Sequence, residues 1–206
     1  MLYLFLFPAP VFFATVFGYY NTEPQTPAMI TSLASLSCLS AAIIVLLVLT
    51  IIDLRVRLLP NVWNLALAAL AVIFHFTTGW IYLGPVDAFF GLLNGGLTLL
   101  LIRFVADRFY GEETIGLGDV KLMMAGGLWL GPQMIMLAMS IGAVAGFAGG
   151  LLSILYLRHV GGDKTVTLKN HMLPAGPGFA AGIGGVGAWY YATHIETSLH
   201  DLWTLI

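Results

Sequence analysis

Charge is what this chain most lacks. Asp, Glu, Lys and Arg make up only 9% of its 206 residues, against 59% hydrophobic residues, and the net charge is −2. Soluble domains carry charge at about a quarter of positions, so a water-facing globule is excluded. No basic excess exists to meet a phosphate backbone, which sets nucleic acid aside as a partner. Cysteine is almost absent as well. Cys38 alone forms neither an internal disulfide nor a four-thiolate metal site, and in its apolar run it reads as a helix-packing residue. The alternation a membrane β-barrel requires is missing. Met1 to Tyr20 lacks a preceding Lys or Arg and a following small-residue cleavage site, so it reads as a retained helix and not a signal peptide.

What remains is long apolar runs, with a mean hydropathy of +0.94. A helix satisfies its own backbone hydrogen bonds in lipid and needs about 20 apolar residues to cross it, so a multi-pass membrane protein in contact with lipid is expected. Runs bounded by turn signals lie near Leu2 to Tyr20, Ala28 to Ile52, Val62 to Leu83, Val86 to Val105, Asp119 to Leu130, Gln133 to Leu157 and Gly176 to His194. These predict an all-α, polytopic transmembrane helical bundle of about seven helices. Residues 1–27 supply an extra N-terminal helix and outer loop, and residues 28–206 a six-helix core. Only Gly131-Pro132 separates the fifth run from the sixth, so a six-helix count with one long bent element stays open.

All eight cationic residues fall at three loops: Arg55 and Arg57; Arg103, Arg108 and Lys121; Arg158, Lys164 and Lys169. Seven-helix parity puts these loops on one side, which the positive-inside rule makes cytoplasmic. Tyr19-Tyr20, Trp80, Tyr82, Trp129 and Trp189-Tyr190-Tyr191 cluster at the opposite helix ends, where such rings favour the headgroup zone. The expected arrangement is a plasma or inner membrane protein with its N-terminus cytoplasmic and its C-terminus, from His194 to Ile206, outside.

Two acids then stand out. Asp53 closes the second helix and Asp119 opens the fifth, at the same cytoplasmic depth, and ionisable groups at a membrane boundary are by default functional. Paired aspartates supply what metal-free peptide hydrolysis needs: a carboxylate to take a proton from water, and a carboxylic acid to give one to the carbonyl oxygen. Like charges a few ångströms apart do not both ionise cheaply, so the pair holds one proton. Gly116 and Gly118, flanking Leu117 ahead of Asp119, allow unusual backbone angles and a close approach of substrate. Helix dipoles suggest Asp119, at a helix start, as base and Asp53, at a helix end, as acid. Arg55, Arg57 and Lys121 nearby leave that order open.

At these residues the chain resembles the type IV prepilin peptidases, membrane aspartyl proteases recognised by Gly-x-Gly-Asp. Gly116-Leu117-Gly118-Asp119-Val120-Lys121-Leu122 matches the second family motif, and Asp53-x-Arg55 followed by Leu59-Pro60-Asn61 matches the first. The resemblance implies Asp53 and Asp119 as the catalytic pair, with Gly116, Gly118, Lys121, Pro60 and Asn61 shaping the site. It implies a pilin-like precursor as substrate, cut behind a short basic leader at the cytoplasmic face, and no cofactor or metal. Where the family has a Pro-aromatic-Gly-Pro-aromatic stretch, this chain has Pro174-Ala175-Gly176-Pro177-Gly178, without either aromatic. It resembles the short, peptidase-only members, including those serving tight-adherence Flp pili. With no room for the bifunctional members' cytoplasmic region and no paired cysteines, it is not expected to be a methyltransferase.

Plainer roles compete for these residues. An ion pair with Arg55 or Arg57 would account for Asp53, and an N-cap for Asp119. Arg55, Arg57, Arg103 and Arg108 read as orientation signals and headgroup contacts. Glu112 and Glu113 read as a solvated loop pair ahead of a role in meeting a basic leader. His75 reads as a packed or hydrogen-bonded residue and Asn94 as a cross-helix bond. His159 and His171 show no metal spacing. The glycines of Gly142/Gly146 and Gly178/Gly182 read as close helix contacts. The rival functions are a proton- or cation-coupled transporter using the same carboxylates and a non-catalytic assembly subunit. Transporter sites usually lie at the midplane between repeated halves, which this chain lacks.

Overall fold

The computed structural model describes residues 28–111, 113–159 and 175–204. These form five helices: α1 (Ala28–Val56), α2 (Asn61–Thr77), α3 (Pro85–Tyr110), α4 (Leu117–His159) and α5 (Gly176–Thr204). The first expected segment, Leu2 to Tyr20, lies outside the described residues, as do Glu112, Lys164, Lys169 and His171. The expected count of seven is therefore not reached on these residues.

The boundaries follow local chemistry. α1 stops at Arg57, which takes a left-handed φ of 55° and donates its N–H to the Asp53 carbonyl at 2.9 Å. Leu59 then precedes Pro60, a position that disfavours helix, and Pro60 caps α2 at φ −62°, ψ 134°. α3 opens with Pro85 just after its Gly84 N-cap and closes on Gly111 at φ 74°.

α4 is interrupted. Gly131 sits at φ 73°, ψ 179°, outside any helical region, and Pro132 follows it. The break divides α4 where two separate runs were expected. Pro132 has no N–H for the Leu128 carbonyl four residues back, and His75 Nε2 bonds that carbonyl at 2.8 Å. The Tyr191 hydroxyl donates to the Trp129 carbonyl at 2.6 Å, and Asn94 Nδ2 donates to the Pro132 carbonyl at 2.8 Å. The cross-helix role expected of Asn94 and the hydrogen-bonded role expected of His75 both belong to this break.

α4 is the hub, packing against α2, α3 and α5, while among the described elements α3 packs only on α4. Glycines let the backbones touch. A Cβ added to Gly178 would lie 2.4 Å from the Gly142 carbonyl, so the pairing expected from spacing is made between α4 and α5. A contact not anticipated, Gly91 against Gly127, joins α3 to α4 as tightly.

Among the described residues three helices are long and apolar enough to cross a membrane: Ala34–Val56, Pro85–Tyr110 and Leu117–Leu155. Their outer faces carry exposed large apolar side chains such as Ile44, Leu47, Leu101, Phe104 and Leu152. Such a surface suits lipid, and the chain is a multi-pass membrane protein.

Candidate active site

Four polar or charged residues are buried among the described ones: Asp53, Asn64, His75 and Asp119. His75 belongs to the α4 break. The other three gather at the opposite end of the bundle.

Asp53 lies in the last turn of α1 and is 6% exposed. The backbone N–H of Gly176, the first residue of α5, faces its carboxylate. The approach is so close that a Cβ added to Gly176 would lie 2.6 Å from Asp53 Oδ2. Asp119 is the third residue of α4 and is 8% exposed. Gly116 precedes the helix, its carbonyl accepts the Asp119 N–H at 3.1 Å, and its own N–H faces the Asp119 side chain. Asp119 is therefore not itself the N-cap but reaches back from the third helical position, as in a capping box.

The two acids are near enough for their charges to act on one another. Asp53 Oδ2 and Asp119 Oδ1 are both buried without a hydrogen-bond partner among the described residues. A buried acceptor left unpaired costs about 1–3 kcal/mol. Each of these oxygens is open to a hydrogen-bond donor.

The dipole argument for ranking the acids does not survive this geometry. Asp53 ends its own helix but faces the first turn of α5, so both acids meet a helix start. The α5 contact is tertiary and leaves no trace in the residues around Asp53.

The motif residues around the acids have distinct places. Leu59 packs over Gly118, where an added Cβ would come within 2.7 Å of the leucine Cβ. Pro60 starts α2 and so sets the position of Leu59 and Asn61. Lys121 Nζ donates to Asn61 Oδ1 at 2.7 Å, on the exposed rim, and is thus joined to α2. Gly116, Gly118, Lys121, Pro60 and Asn61 are all brought together at the α2–α4 junction. Asn64 escaped the sequence reading, and Gly176 was noted there only within the altered Pro174–Gly178 stretch, not as a neighbour of Asp53. Asn64 is 4% exposed, its Nδ2 donates to the Gly118 carbonyl at 3.4 Å, and its Oδ1 has no partner among the described residues. Its spacing, one turn after Asn61 on the same helix face, was the available signal.

Other candidates lie apart. Glu113 pairs with Arg103, and His159 Nδ1 is 3.2 Å from the Leu155 carbonyl on an exposed face. An apolar groove lined by residues such as Leu39, Leu46, Leu67, Trp129, Ile183 and Tyr191 contains neither acid. Among the described residues no three His, Cys, Asp or Glu side chains converge as a metal site would need.

Comparison with known proteins bears on this centre. The profile of the type IV leader peptidase family matches residues 40–160, which include both acids. The chain is similar to proteins named prepilin leader peptidase/N-methyltransferase. It is 35% identical over 107 residues to the one from Pectobacterium carotovorum subsp. carotovorum, covering 52% of this chain and 38% of that protein. It is 31% identical over 151 residues to that of Aeromonas salmonicida (strain A449), covering 72% and 50%, and 32% identical over 112 residues to that of Escherichia coli (strain K12), covering 54% and 49%. The matches thus span half or less of these relatives' length. No solved structure matches the chain significantly. With more than half of its length matched to the family profile, and both acids inside the match, this chain belongs to the type IV leader peptidase family.

Proposed function

We propose that this chain is a membrane-embedded aspartyl endopeptidase that removes the short basic leader from type IV or Flp-type prepilins at the cytoplasmic face. The observation that carries the reading is the pair of buried aspartates, each with an oxygen left without a partner, inside the stretch matched to the family. The names of the relatives supply the substrate class, and of their two activities this chain takes the peptidase. The peptidase core is assigned to residues 28–206, with Arg55, Arg57, Arg103, Arg108 and Lys121 holding the acid end on the cytoplasmic side.

In the proposed reaction one aspartate is ionised and the other protonated. The carboxylate takes a proton from a water held between the pair as the water oxygen attacks the scissile carbonyl carbon. The carboxylic acid gives its proton to the carbonyl oxygen, forming a neutral tetrahedral diol. The C–N bond then breaks as the leaving nitrogen gains a proton from one acid, and the diol returns a proton to the other as it becomes the new carboxyl group. The unpaired oxygens favour this sequence because a water between them satisfies both at once.

The test uses the full chain in proteoliposomes incubated with a panel of purified prepilins, with leader removal read by mass spectrometry. Cleavage at the leader boundary by the wild type and none by Asp53→Asn or Asp119→Asn is expected. Cleavage at the wild-type rate by the double Asn variant overturns the mechanism. Ion flux without cleavage favours a transporter.

A further inference from the structure

The loop that carries Asp119 to the site is held by a polar cluster built from other residues. Arg103, near the end of α3, spreads its guanidinium across three partners. Nη1 donates to the Ile115 carbonyl, Nε lies 3.3 Å from Asp107 Oδ2, and Nη2 lies 3.3 Å from Glu113 Oε2. The second Asp107 oxygen, Oδ1, accepts the Thr114 N–H at 2.7 Å and the Thr114 hydroxyl at 2.8 Å. Glu113, Thr114 and Ile115 are consecutive, and Gly116 follows them as the residue from which α4 starts.

These partners are unequal. Glu113 is 85% exposed, so its ion pair counts for little against solvent. The Arg103 side chain, by contrast, is only 13% exposed, and its bond to the Ile115 carbonyl fixes backbone. A cation kept only for membrane orientation needs charge alone. Arg103 instead uses the planar fork of its guanidinium, which lysine does not have.

The geometry points to Arg103 as a positioning residue for Asp119. It sets the register of the Glu113–Ile115 loop, and with it the place where Gly116 begins α4 and the direction in which Asp119 meets Asp53. Asp107 and Thr114 complete the clamp. This inference rests on the peptidase reading for its catalytic consequence, but the clamp itself has a readout that needs no catalysis.

The experiment compares Arg103→Lys with wild type, and with Arg108→Lys as a control on an exposed arginine of the same helix. Arg103→Lys keeps the charge, and so the topology, while removing the fork. In proteoliposomes with purified prepilins, kcat is expected to fall about tenfold to a hundredfold, the scale for a misplaced catalytic group, with KM little changed. Separately, modification of Asp119 by a water-soluble carbodiimide, read by mass spectrometry of the labelled peptide, is expected to change severalfold in Arg103→Lys and not in Arg108→Lys. Asp107→Asn, which leaves the arginine in place, is expected to change kcat and labelling in the same direction, and the double variant to do no more than Arg103→Lys alone. Wild-type kcat and wild-type labelling in Arg103→Lys overturn the clamp and leave the peptidase standing. A wild type inactive on every prepilin, with Asp119 labelling still altered by Arg103→Lys, overturns the peptidase reading and leaves the clamp standing.

Discussion

Both ends of this bundle bury polar groups, and they treat them differently. At the α4 break, a proline removes one hydrogen bond and a glycine turns the chain, yet the freed Leu128 carbonyl is taken up by His75, and the neighbouring Trp129 carbonyl accepts from Tyr191. Trp129 Nε1 donates to the Leu67 carbonyl at 3.0 Å, and the Tyr190 hydroxyl to the Tyr82 carbonyl at 2.7 Å. At the acid end, about 18 Å away along α4 at 1.5 Å per residue, Asp53, Asn64 and Asp119 each keep an oxygen without a partner among the described residues. The break end uses its polar atoms to secure an irregular backbone that lipid does not solvate, with His75 Nδ1 the one buried side-chain atom there without a partner among the described residues. The acid end leaves acceptors open, which stability alone does not favour and binding of a donor does.

The largest expected effect breaks the contrast at its centre. Asp53→Asn or Asp119→Asn should lower the cleavage rate by at least about a thousandfold, within the range of general acid–base catalysis. The thermal midpoint should hold or rise, because a buried acid is replaced by a neutral amide of nearly the same shape. A marked fall in the midpoint for both variants would mean that the acids serve the fold, as His75 and Tyr191 do.

Two glycines sharpen the comparison because each is pressed by a neighbour, one at the site and one in the packing. Gly176→Ala drives a methyl group into the Asp53 carboxylate, at the first residue of α5 where the helix itself tolerates alanine. Activity should fall about a hundredfold with little loss of stability. Gly127→Ala sets a Cβ 2.0 Å from the Gly91 carbonyl, so α3 and α4 must part, and the folded yield in detergent should drop instead. Equal loss of fold in both variants would erase the distinction between the two regions.

At the break end, Tyr191→Phe leaves the Trp129 carbonyl buried without its donor. The expected cost is about 1–3 kcal/mol of stability, read as an earlier unfolding midpoint in a denaturant titration, with kcat unchanged. The smallest effect falls to Asn64→Ala, whose bond to the Gly118 carbonyl is long at 3.4 Å. A loss of about fivefold to tenfold in kcat is expected, about 1 kcal/mol on the scale of one neutral hydrogen bond, with the midpoint nearly unmoved. A kcat equal to wild type would assign Asn64 to packing.

Much of this was legible along the chain. Asp53 and Asp119 stood out because an apolar sequence makes each acid conspicuous, and Gly131-Pro132 marked the break because backbone chemistry alone forbids a regular helix there. Arg103 was read as an orientation charge and headgroup contact, and its bond to the Ile115 carbonyl was out of view because folding brings that partner to it. Gly176 was noted in the altered Pro174–Gly178 stretch but not placed at the acids for the same reason: its close neighbour, Asp53, lies far away in sequence.

By itself the sequence determined the solvent this protein requires, the helical class, the helix ends written in proline and glycine, and the two acids of the family motifs. Those features are local, set by hydropathy and by backbone angles. Only the tertiary structure decided that α5 starts against Asp53, that α2 bonds the Gly118 carbonyl through Asn64, and that α3 grips the loop ahead of Asp119. Each of these depends on distances between segments remote in the chain, and such distances are fixed by the packing of whole helices against α4.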